Sequence, residues 1–190
     1  MQGKRIGFAL TGSFCTFKKV LPQVEALVSA GAEVTPIVSP SVAATDSRFG
    51  KAEDFWNELA RMTGREPLAT IAQVEPIGPK KLLDLMIVAP CTGNTLAKLA
   101  LGIADTPVTL ACKSHLRNSR PLLLAPSTND GLGNAAKNIG SLLNAKHVYF
   151  VPFGQDDPME KPNSLVAHME KIPEAAELAL LESQMQPILL

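Results

Sequence analysis

The chain has 190 residues, of which 46% are apolar and 19% are charged. This composition is typical of a globular protein and excludes a disordered or collagen-like chain. The 18 basic and 18 acidic residues give a net charge of zero, which argues against nucleic acid or an anionic membrane as the main partner, because both attract excess positive charge. The length predicts one domain over 1–190, and the zero charge favours a homo-oligomer.

Cysteine and histidine usage gives no sign of a disulfide framework or a metal site. Cys15, Cys91 and Cys112 lack the CxxC spacing, and the three histidines form no HxxxH pair. No apolar run approaches the ~18 residues of a membrane span. The first residues lack the core of a signal peptide. We therefore expect a reduced, cytoplasmic protein without a metal.

Short apolar runs alternate with helical patterns in the first half of the chain. Pro36 lies inside the second predicted strand and indicates a sheet edge or a bulge. The predicted elements are, in order, strand Ile6–Leu10, a helix from Phe14 to Ala30 ended by Gly31, strand Val34–Val38, a helix from Asp46 to Thr63 and a short strand Leu68–Val74.

The alternation continues in the second half. Pro173 either breaks or opens a helix in the tail. The predicted elements are strand Leu82–Ala89, helices Leu96–Leu101 and Pro107–Leu116, strand Pro121–Ala125, a helix ending near Leu143, strand Val148–Val151, a proline-rich loop from Pro152 to Pro162 and a helical tail from Ser164 to Gln184. Residues 152–190 are thus expected to form a C-terminal loop and helical extension of the domain.

This order predicts an α/β fold, namely a single doubly wound, Rossmann-like parallel sheet with helices on both faces. In such sheets, ligands bind beyond the carboxyl ends of the strands, near the point where strand order reverses. Four predicted strands end in small polar residues, which we therefore expect to meet in one crevice. These loops are Thr11-Gly12-Ser13, Ser39-Pro40-Ser41, Cys91-Thr92-Gly93-Asn94-Thr95 and Ser127-Thr128-Asn129-Asp130.

Hydroxyl groups and helix N-termini in such a crevice are typical of a phosphate site. The four loops contain no Lys or Arg, which fits a phosphate held by hydroxyls and backbone N–H groups. The alternative is structural: Ser13 and Ser39 as turn or capping residues, Asp105 as a helix cap, and Cys91 as a buried residue rather than a nucleophile. Neither GxGxxG nor a P-loop motif is present.

One long segment, from Ala89 through Thr92-Gly93-Asn94-Thr95 to Gly102-Ile103-Ala104-Asp105, resembles the signature of the flavoprotein family that includes peptidyl-cysteine and phosphopantothenoylcysteine decarboxylases. Pro126 and Asn129 match a second motif of that family. The resemblance implies a Rossmann-like fold that binds FMN. It implies that Gly12, Ser13 and Ser39 lie at the FMN phosphate, that Thr92, Asn94 and Thr95 line the ring and ribityl chain, and that Asn129 faces the substrate. Phe14 and Ser127, in the same loops, complete the expected cofactor-binding residues.

Departures from the decarboxylase pattern argue against cysteine decarboxylation. Thr128, Leu132 and Gly133 replace a Met, a Met and a Trp, and the segment from Ala52 to Lys81 lacks the expected histidine. We therefore regard a decarboxylase as the least favoured of the candidate functions.

A further resemblance covers nearly the whole chain. The segments from Gly7 to Cys15, from Ala125 to Leu132 and from Pro152 to Pro158 are similar to the dipicolinate synthase B-subunit family. That resemblance implies an oxidoreductase subunit that acts with an A subunit, which binds NAD(P), on a small dicarboxylate substrate in the mother cell of a sporulating bacterium. A dihydrodipicolinate-type precursor would be oxidised to dipicolinate.

Three alternatives remain open at this point. The chain is a catalytic FMN-binding subunit, a non-catalytic structural or regulatory partner of the A subunit, or an FMN-dependent decarboxylase. Lys113, Arg117 and Arg120 are either donors to the dicarboxylate or a solvated basic face. The loop from Gln155 to Ser164 is expected to be a lid or a partner contact. No catalytic residue is assigned.

Overall fold

The computed structural model describes residues 1–190, which form seven strands, eight α-helices and three short 3-10 helices. The bounds of the strands are β1 Arg5–Leu10, β2 Glu33–Val38, β3 Leu85–Cys91, β4 Leu122–Thr128, β5 Val148–Phe150, β6 Phe153–Gly154 and β7 Leu165–Ala167. The helices are α1 Phe17–Ser29, α2 Pro40–Ala44, α3 Ala52–Thr63, α4 Ile71–Val74, α5 Gly93–Ala100, α6 Pro107–Leu116, α7 Ala136–Leu143 and α8 Ile172–Leu180.

Five strands form a parallel sheet in the order β2-β1-β3-β4-β5. All seven residues of β3 are buried, as its continuous apolar sequence predicts. Strand β2, which contains Pro36, lies at the edge. The order reverses between β1 and β3, because the chain moves to one side of β1 for β2 and to the other side for β3. This is the topological switch point at which α/β sheets bind ligands.

Helices cover both faces of the sheet, which confirms the predicted fold class. The crossover from β1 to β2 and that from β3 to β4 run in opposite directions, so right-handed connections place their helices on opposite faces. Helix α1 packs against α3 and α8, whereas α6 packs against α4 and α5. One apolar cluster of 47 residues joins these layers, and it includes Met169 and Ile172 near the end of the chain.

The sheet also has two short antiparallel strands that the apolar pattern did not predict. Strand β7 pairs with the last residues of β4, through Ser127 with Val166 and Thr128 with Leu165. Strand β6 pairs with β7. Residues 155–164 connect them and are called the 155–164 loop below. The C-terminal extension therefore adds strands to the sheet next to the carboxyl end of β4.

Several predicted boundaries are wrong for local reasons. The segment Leu68–Val74 is not a strand: Leu68 makes one isolated bridge with Ile37, and helix α4 then begins after a capping box of Thr70 and Gln73. The helix predicted from Asp46 begins only at Ala52, after the short helix α2.

The predicted tail helix also begins late. Residues 165–167 form β7, and α8 begins at Ile172 with Pro173 in its first turn, where the absent N–H of proline costs nothing. No helix of the chain has the length and hydropathy needed to cross a lipid bilayer.

Candidate functional site

The four polar loops meet at the carboxyl edge of the parallel sheet, where they line two adjoining cavities of about 510 and 240 Å³. Gly12 and Thr92 line both cavities, so they stand at the junction. Their combined size lies within the range of about 300–1,000 Å³ that is usual for small-molecule and cofactor sites. The topology thus assembles the crevice that the strand-end loops indicate.

The larger cavity lies on the β4 side of the junction and combines aromatic and polar groups. Four residues singled out in the sequence line it, namely Ser13, Phe14, Ser127 and Asn129. Phe49 adds a second aromatic side chain, and Val166 of β7 adds an aliphatic one. The lining therefore offers apolar surface together with hydroxyl and amide groups.

The smaller cavity lies on the β2 side and is almost entirely polar. Ser39, Asn94 and Thr95, which are also singled out in the sequence, line it together with Ser41 and Thr106. Hydroxyl and amide donors around a space of this size suit a compact anion such as a phosphate group. All nine residues named as cofactor contacts thus lie at one or both cavities.

A buried threonine holds the first and third loops together. Thr11 donates a hydrogen bond to the carbonyl oxygen of Pro90 over 2.6 Å and accepts one from the backbone N–H of Thr92 over 3.0 Å. Thr11 is buried, and the two bonds satisfy backbone groups that would otherwise be costly to desolvate. This contact fixes the ends of β1 and β3 relative to each other at the junction.

The first and fourth loops meet through their serines. The hydroxyl oxygens of Ser13 and Ser127 are 2.7 Å apart and share a hydrogen bond. Gly93 allows the third loop to approach the fourth, because a Cβ at this position would lie 2.7 Å from Thr128 Oγ1 and 3.0 Å from Asp130 Oδ1. The larger cavity is therefore shaped by close contacts that tolerate little added volume.

Two of the predicted contacts, Ser39 and Thr92, also cap helices. The structural alternative is therefore correct in part for Ser39, whereas Ser13 makes no side-chain capping bond. Ser39 Oγ accepts a hydrogen bond from the N–H of Val42 at the start of α2, and Thr92 Oγ1 accepts one from Thr95 at the start of α5. Both bonds are long, at 3.4 Å. Asp105 does not cap α6, because Thr106 and Thr109 form a capping box there.

Lysines line both cavities although the loops themselves contain none. Lys98, on α5, lines the smaller cavity, and its Nζ contacts both carboxylate oxygens of Asp105 at 2.8 Å. This ion pair lowers the pKa of Asp105 below its ordinary value. Lys19 and Lys161 line the larger cavity. The sequence could have indicated Lys98 as a cavity residue, because it follows Asn94 by four residues and therefore lies one turn further along the same face of α5.

The basic residues considered as dicarboxylate donors lie elsewhere. Arg120 precedes β4 and contacts Asp84, which precedes β3, over 3.1 Å. It therefore sits at the amino edge of the sheet, opposite the cavities. Lys113, on the surface of α6, donates to the carbonyl oxygen of Gly102. None of the three residues lines the two cavities. The exposed Lys113 and Arg117 fit the solvated-face interpretation, whereas Arg120 is partly buried in its ion pair with Asp84.

The cysteines and the buried histidine do not form a nucleophilic site here. Cys91 and Cys112 are fully buried, and this burial raises the pKa of each thiol above its ordinary value, so both remain protonated and unreactive. His115 is buried against the Pro121 carbonyl at the amino edge of the sheet. Only the exposed Cys15 lines the larger cavity.

Comparison with known proteins agrees with this geometry. The family model described as Flavoprotein matches residues 1–178. The chain is 49% identical over 189 residues to the B subunit of dipicolinate synthase from Bacillus subtilis (strain 168), covering all of this chain and 94% of that protein.

Solved structures give the same picture. The crystal structure of the dipicolinate synthase B subunit from Bacillus halodurans is 47% identical, with a TM-score of 0.92 over all of this chain and 97% of the other. The FMN-dependent cysteine decarboxylase TvaF, at 21% identity, shares the fold with a TM-score of 0.66 over 94% of this chain and 98% of its own. With a family model matched over most of its length, this chain belongs to the flavoprotein family.

Proposed function

We propose that this chain is the B subunit of a dipicolinate synthase, an oxidoreductase that works with an A subunit. The observation that carries this proposal is the similarity to the B subunit of the Bacillus subtilis enzyme, which extends over the whole chain at 49% identity. In the proposed reaction, a dihydrodipicolinate-type precursor loses two electrons and two protons and becomes the aromatic pyridine-2,6-dicarboxylate.

The two cavities fit FMN, a cofactor with a compact dianion at one end and a flat ring system at the other. The smaller cavity supplies the Ser39 and Thr95 hydroxyls, the Asn94 amide and Lys98 for the phosphate. This assignment differs from the roles that the resemblance implies, which place Ser13 at the phosphate and Asn94 and Thr95 at the ring. The larger cavity supplies the aromatic faces of Phe14 and Phe49 for the ring. Gly12 and Thr92 stand between them, where the chain that links ring and phosphate would pass.

When bound, FMN supplies a two-electron acceptor for the aromatisation. The residues of this chain would position the reactants: Ser13 and Ser127, joined over 2.7 Å, and Asn129 would present hydrogen-bonding groups on the β4 side of the cavity. The fixed geometry of these loops matches what orientation of reactants requires. The A subunit is proposed to bind NAD(P) as a further electron acceptor.

The cellular setting belongs to the same proposal. A dipicolinate synthase would act in the cytoplasm of the mother cell during sporulation, and we propose a homo-oligomer, in keeping with the zero net charge. The whole chain would act as one domain, since the apolar cluster runs from Ile6 to Met185.

A non-catalytic role as a partner of the A subunit is the second candidate. The observation that favours it is the absence of histidine from both cavities, which leaves the ring protons without the commonest general base. Leu132, in place of a family Met, is half exposed and lines neither cavity. The same absences disfavour a cysteine decarboxylase.

Titration of the purified chain with FMN tests the cofactor site. We expect the absorbance of FMN to shift on binding, and the affinity to fall in Ser13→Asp, because the larger side chain would crowd Ser127 and place a carboxylate in the cavity proposed for the ring. Asn94→Ala would remove a donor from the smaller cavity. Ser141→Asp, an equal charge change on the exposed face of α7, is the matched control.

Reconstitution with the A subunit then separates the candidates. If this chain is a catalytic subunit, dipicolinate forms from the precursor only when both subunits are present, and Ser13→Asp abolishes the rate. Full activity of the A subunit alone would contradict the proposal and favour the non-catalytic role. Release of carbon dioxide from a cysteine-terminated peptide would instead identify a decarboxylase.

A further inference from the structure

Three charged side chains line the larger cavity, and two of them are cations: Lys19, Lys161 and Asp156. Lys161 Nζ lies 3.6 Å from Asp156 Oδ2. Lys19 forms no ion pair with any acidic group of the chain. The cavity therefore carries a net positive charge, and one ammonium group has no anionic partner, an arrangement suited to an anionic ligand.

The two lysines reach the cavity from different parts of the fold. Lys19 belongs to the first turn of α1, which follows the first loop after one short 3-10 turn of residues Phe14–Thr16. Lys161 belongs to the 155–164 loop, which β7 anchors beside Ser127 and Thr128 through its pairing with β4. Two cations on separate walls of one cavity match a ligand whose two negative groups point in different directions.

The 155–164 loop is built as an ordered structure. Its backbone is held by hydrogen bonds from Lys161 N–H to the Asp157 carbonyl over 2.8 Å and from Ser164 N–H to the Lys161 carbonyl over 2.9 Å. The Gln155 amide donates to the Pro162 carbonyl, also over 2.8 Å. The backbone position of Lys161 is thus set by the fold, while its side chain stays about half exposed.

A second hydrogen-bond donor, besides the Lys161 ammonium, lies near Asp156. The Ser164 side chain is buried, and its hydroxyl makes no hydrogen bond of ordinary geometry, although it lies near enough to the Asp156 carboxylate to stabilise its negative charge. Partial burial raises the pKa of Asp156, but the nearby Ser164 hydroxyl and the Lys161 ammonium together lower it by more. The pKa of Asp156 therefore lies below its ordinary value. The carboxylate therefore has an alternative donor, Ser164, that would satisfy it if Lys161 turned to another anion.

We propose that Lys19 and Lys161 bind the two carboxylates of a cyclic dicarboxylate substrate in the larger cavity, and that the substrate displaces Asp156 from Lys161. This inference rests on the proposed function for the identity of the ligand. The phosphate of FMN has its own donors in the smaller cavity, with Lys98 among them, so the two lysines remain for the substrate. Lys19 and Lys161 are then specificity-determining residues that select a dianion over a monoanion.

The test is a calorimetric titration of the full-length chain with pyridine-2,6-dicarboxylate and with pyridine-2-carboxylate, in metal-free buffer, with and without FMN. A charged hydrogen bond to a carboxylate corresponds to about a tenfold change in affinity or more. We expect Lys19→Ala and Lys161→Ala each to weaken the dicarboxylate by about tenfold and the monocarboxylate by less. Lys18→Ala, the same charge change at the neighbouring exposed residue, which does not line the cavity, is the matched control.

The proposed displacement of Asp156 from Lys161 predicts that a variant at Asp156 changes the affinity in the opposite direction from the lysine variants. Asp156→Asn removes the anion that competes for Lys161, so we expect dicarboxylate binding to tighten by about two- to fivefold, the range of a partly exposed ion pair. Asp157→Asn changes the same charge outside the cavity and should leave the affinity unchanged. Weaker dicarboxylate binding in Asp156→Asn would contradict the proposal that the substrate displaces Asp156 from Lys161.

The remaining outcomes separate this inference from the proposed function. If Lys19→Ala and Lys161→Ala bind the dicarboxylate as tightly as Lys18→Ala does, the proposed role of the two lysines is wrong, even if the complex with the A subunit makes dipicolinate. Lysine variants that lose FMN and keep the dicarboxylate would overturn it as well, because the lysines would then belong to the cofactor. Conversely, a lysine-dependent preference for the dianion would support it even if the reconstituted complex were inactive.

Discussion

The buried histidine makes stability depend on pH in a way that can be calculated. His115 is 1% exposed, and its Nε2 lies 3.0 Å from the Pro121 carbonyl oxygen. Because a carbonyl oxygen only accepts, Nε2 carries the hydrogen. Burial lowers the pKa of His115 from 6.5 to about 4, although the bond to Pro121 opposes this effect.

The sign follows from which state binds the proton. Between pH 6.5 and pH 4 the unfolded chain binds a proton at this histidine and the folded chain does not, so the free energy of unfolding falls as the pH falls. The difference between a pKa of 6.5 and one of about 4 corresponds to about 3 kcal/mol. The Arg5 side chain lowers the pKa of Asp84 from 3.8 to about 2, although burial opposes this effect. Asp84 therefore changes the free energy of unfolding mainly at pH values below this range.

Urea unfolding followed by circular dichroism between pH 4 and pH 7.5 measures the effect. We expect His115→Gln, which retains an N–H donor for Pro121 and does not titrate, to lose most of the slope between pH 6.5 and pH 4. His168→Gln, at an exposed site, is the control and should keep it. Equal slopes in the wild type and His115→Gln would refute the reasoning, and a change in FMN affinity in His115→Gln would refute its placement at the edge opposite the cavities.

Three further predictions concern the crevice. Thr11→Val should lower the free energy of unfolding in urea by about 2 kcal/mol, because it leaves the Thr92 N–H and the Pro90 carbonyl without their partner; a neutral result would mean that water replaces the hydroxyl. Gly93→Ala should weaken FMN binding, measured by fluorescence quenching, since its Cβ would press on Thr128, whereas Gly140→Ala, where a Cβ meets nothing within 4 Å, should not. Lys98→Ala should weaken FMN by about tenfold relative to the exposed control Lys137→Ala; equal affinities would place the phosphate elsewhere.

The sequence was sufficient for the elements whose patterns are long. Strands β1, β3 and β4 are continuous apolar runs, and the rule that parallel strands bring their carboxyl ends to one edge was enough to group Gly12, Ser39, Thr92 and Ser127 at the same crevice. That prediction rests on the predicted topology of the sheet and not on any single sequence motif. The predicted grouping is correct even for Ser39, which lines the smaller cavity and also caps helix α2.

The elements that sequence analysis missed are short or depend on distant partners. Strands β6 and β7 have two and three residues, too few for a period of two to be visible, and β7 forms because it pairs with β4. The apolar residues of Leu68–Val74 predict a strand, whereas the capping box of Thr70 and Gln73 starts helix α4 within this segment. Lys161 is far from every strand-end loop along the chain, so only the pairing of β7 with β4 reveals that it lines the cavity.

The C-terminal residues make the cavity sensitive to changes far from it in the sequence. The Phe153 N–H donates to the Ile188 carbonyl over 2.9 Å, and the Leu190 N–H donates to the Phe153 carbonyl over 3.2 Å. Strand β6 is therefore held between residues 188–190 on one side and β7 on the other. Removal of residues 186–190 would take away one support of the hairpin that carries Asp156 and Lys161. We therefore expect this truncation to weaken ligand binding in the larger cavity, although the removed residues lie far from Lys19 in the sequence.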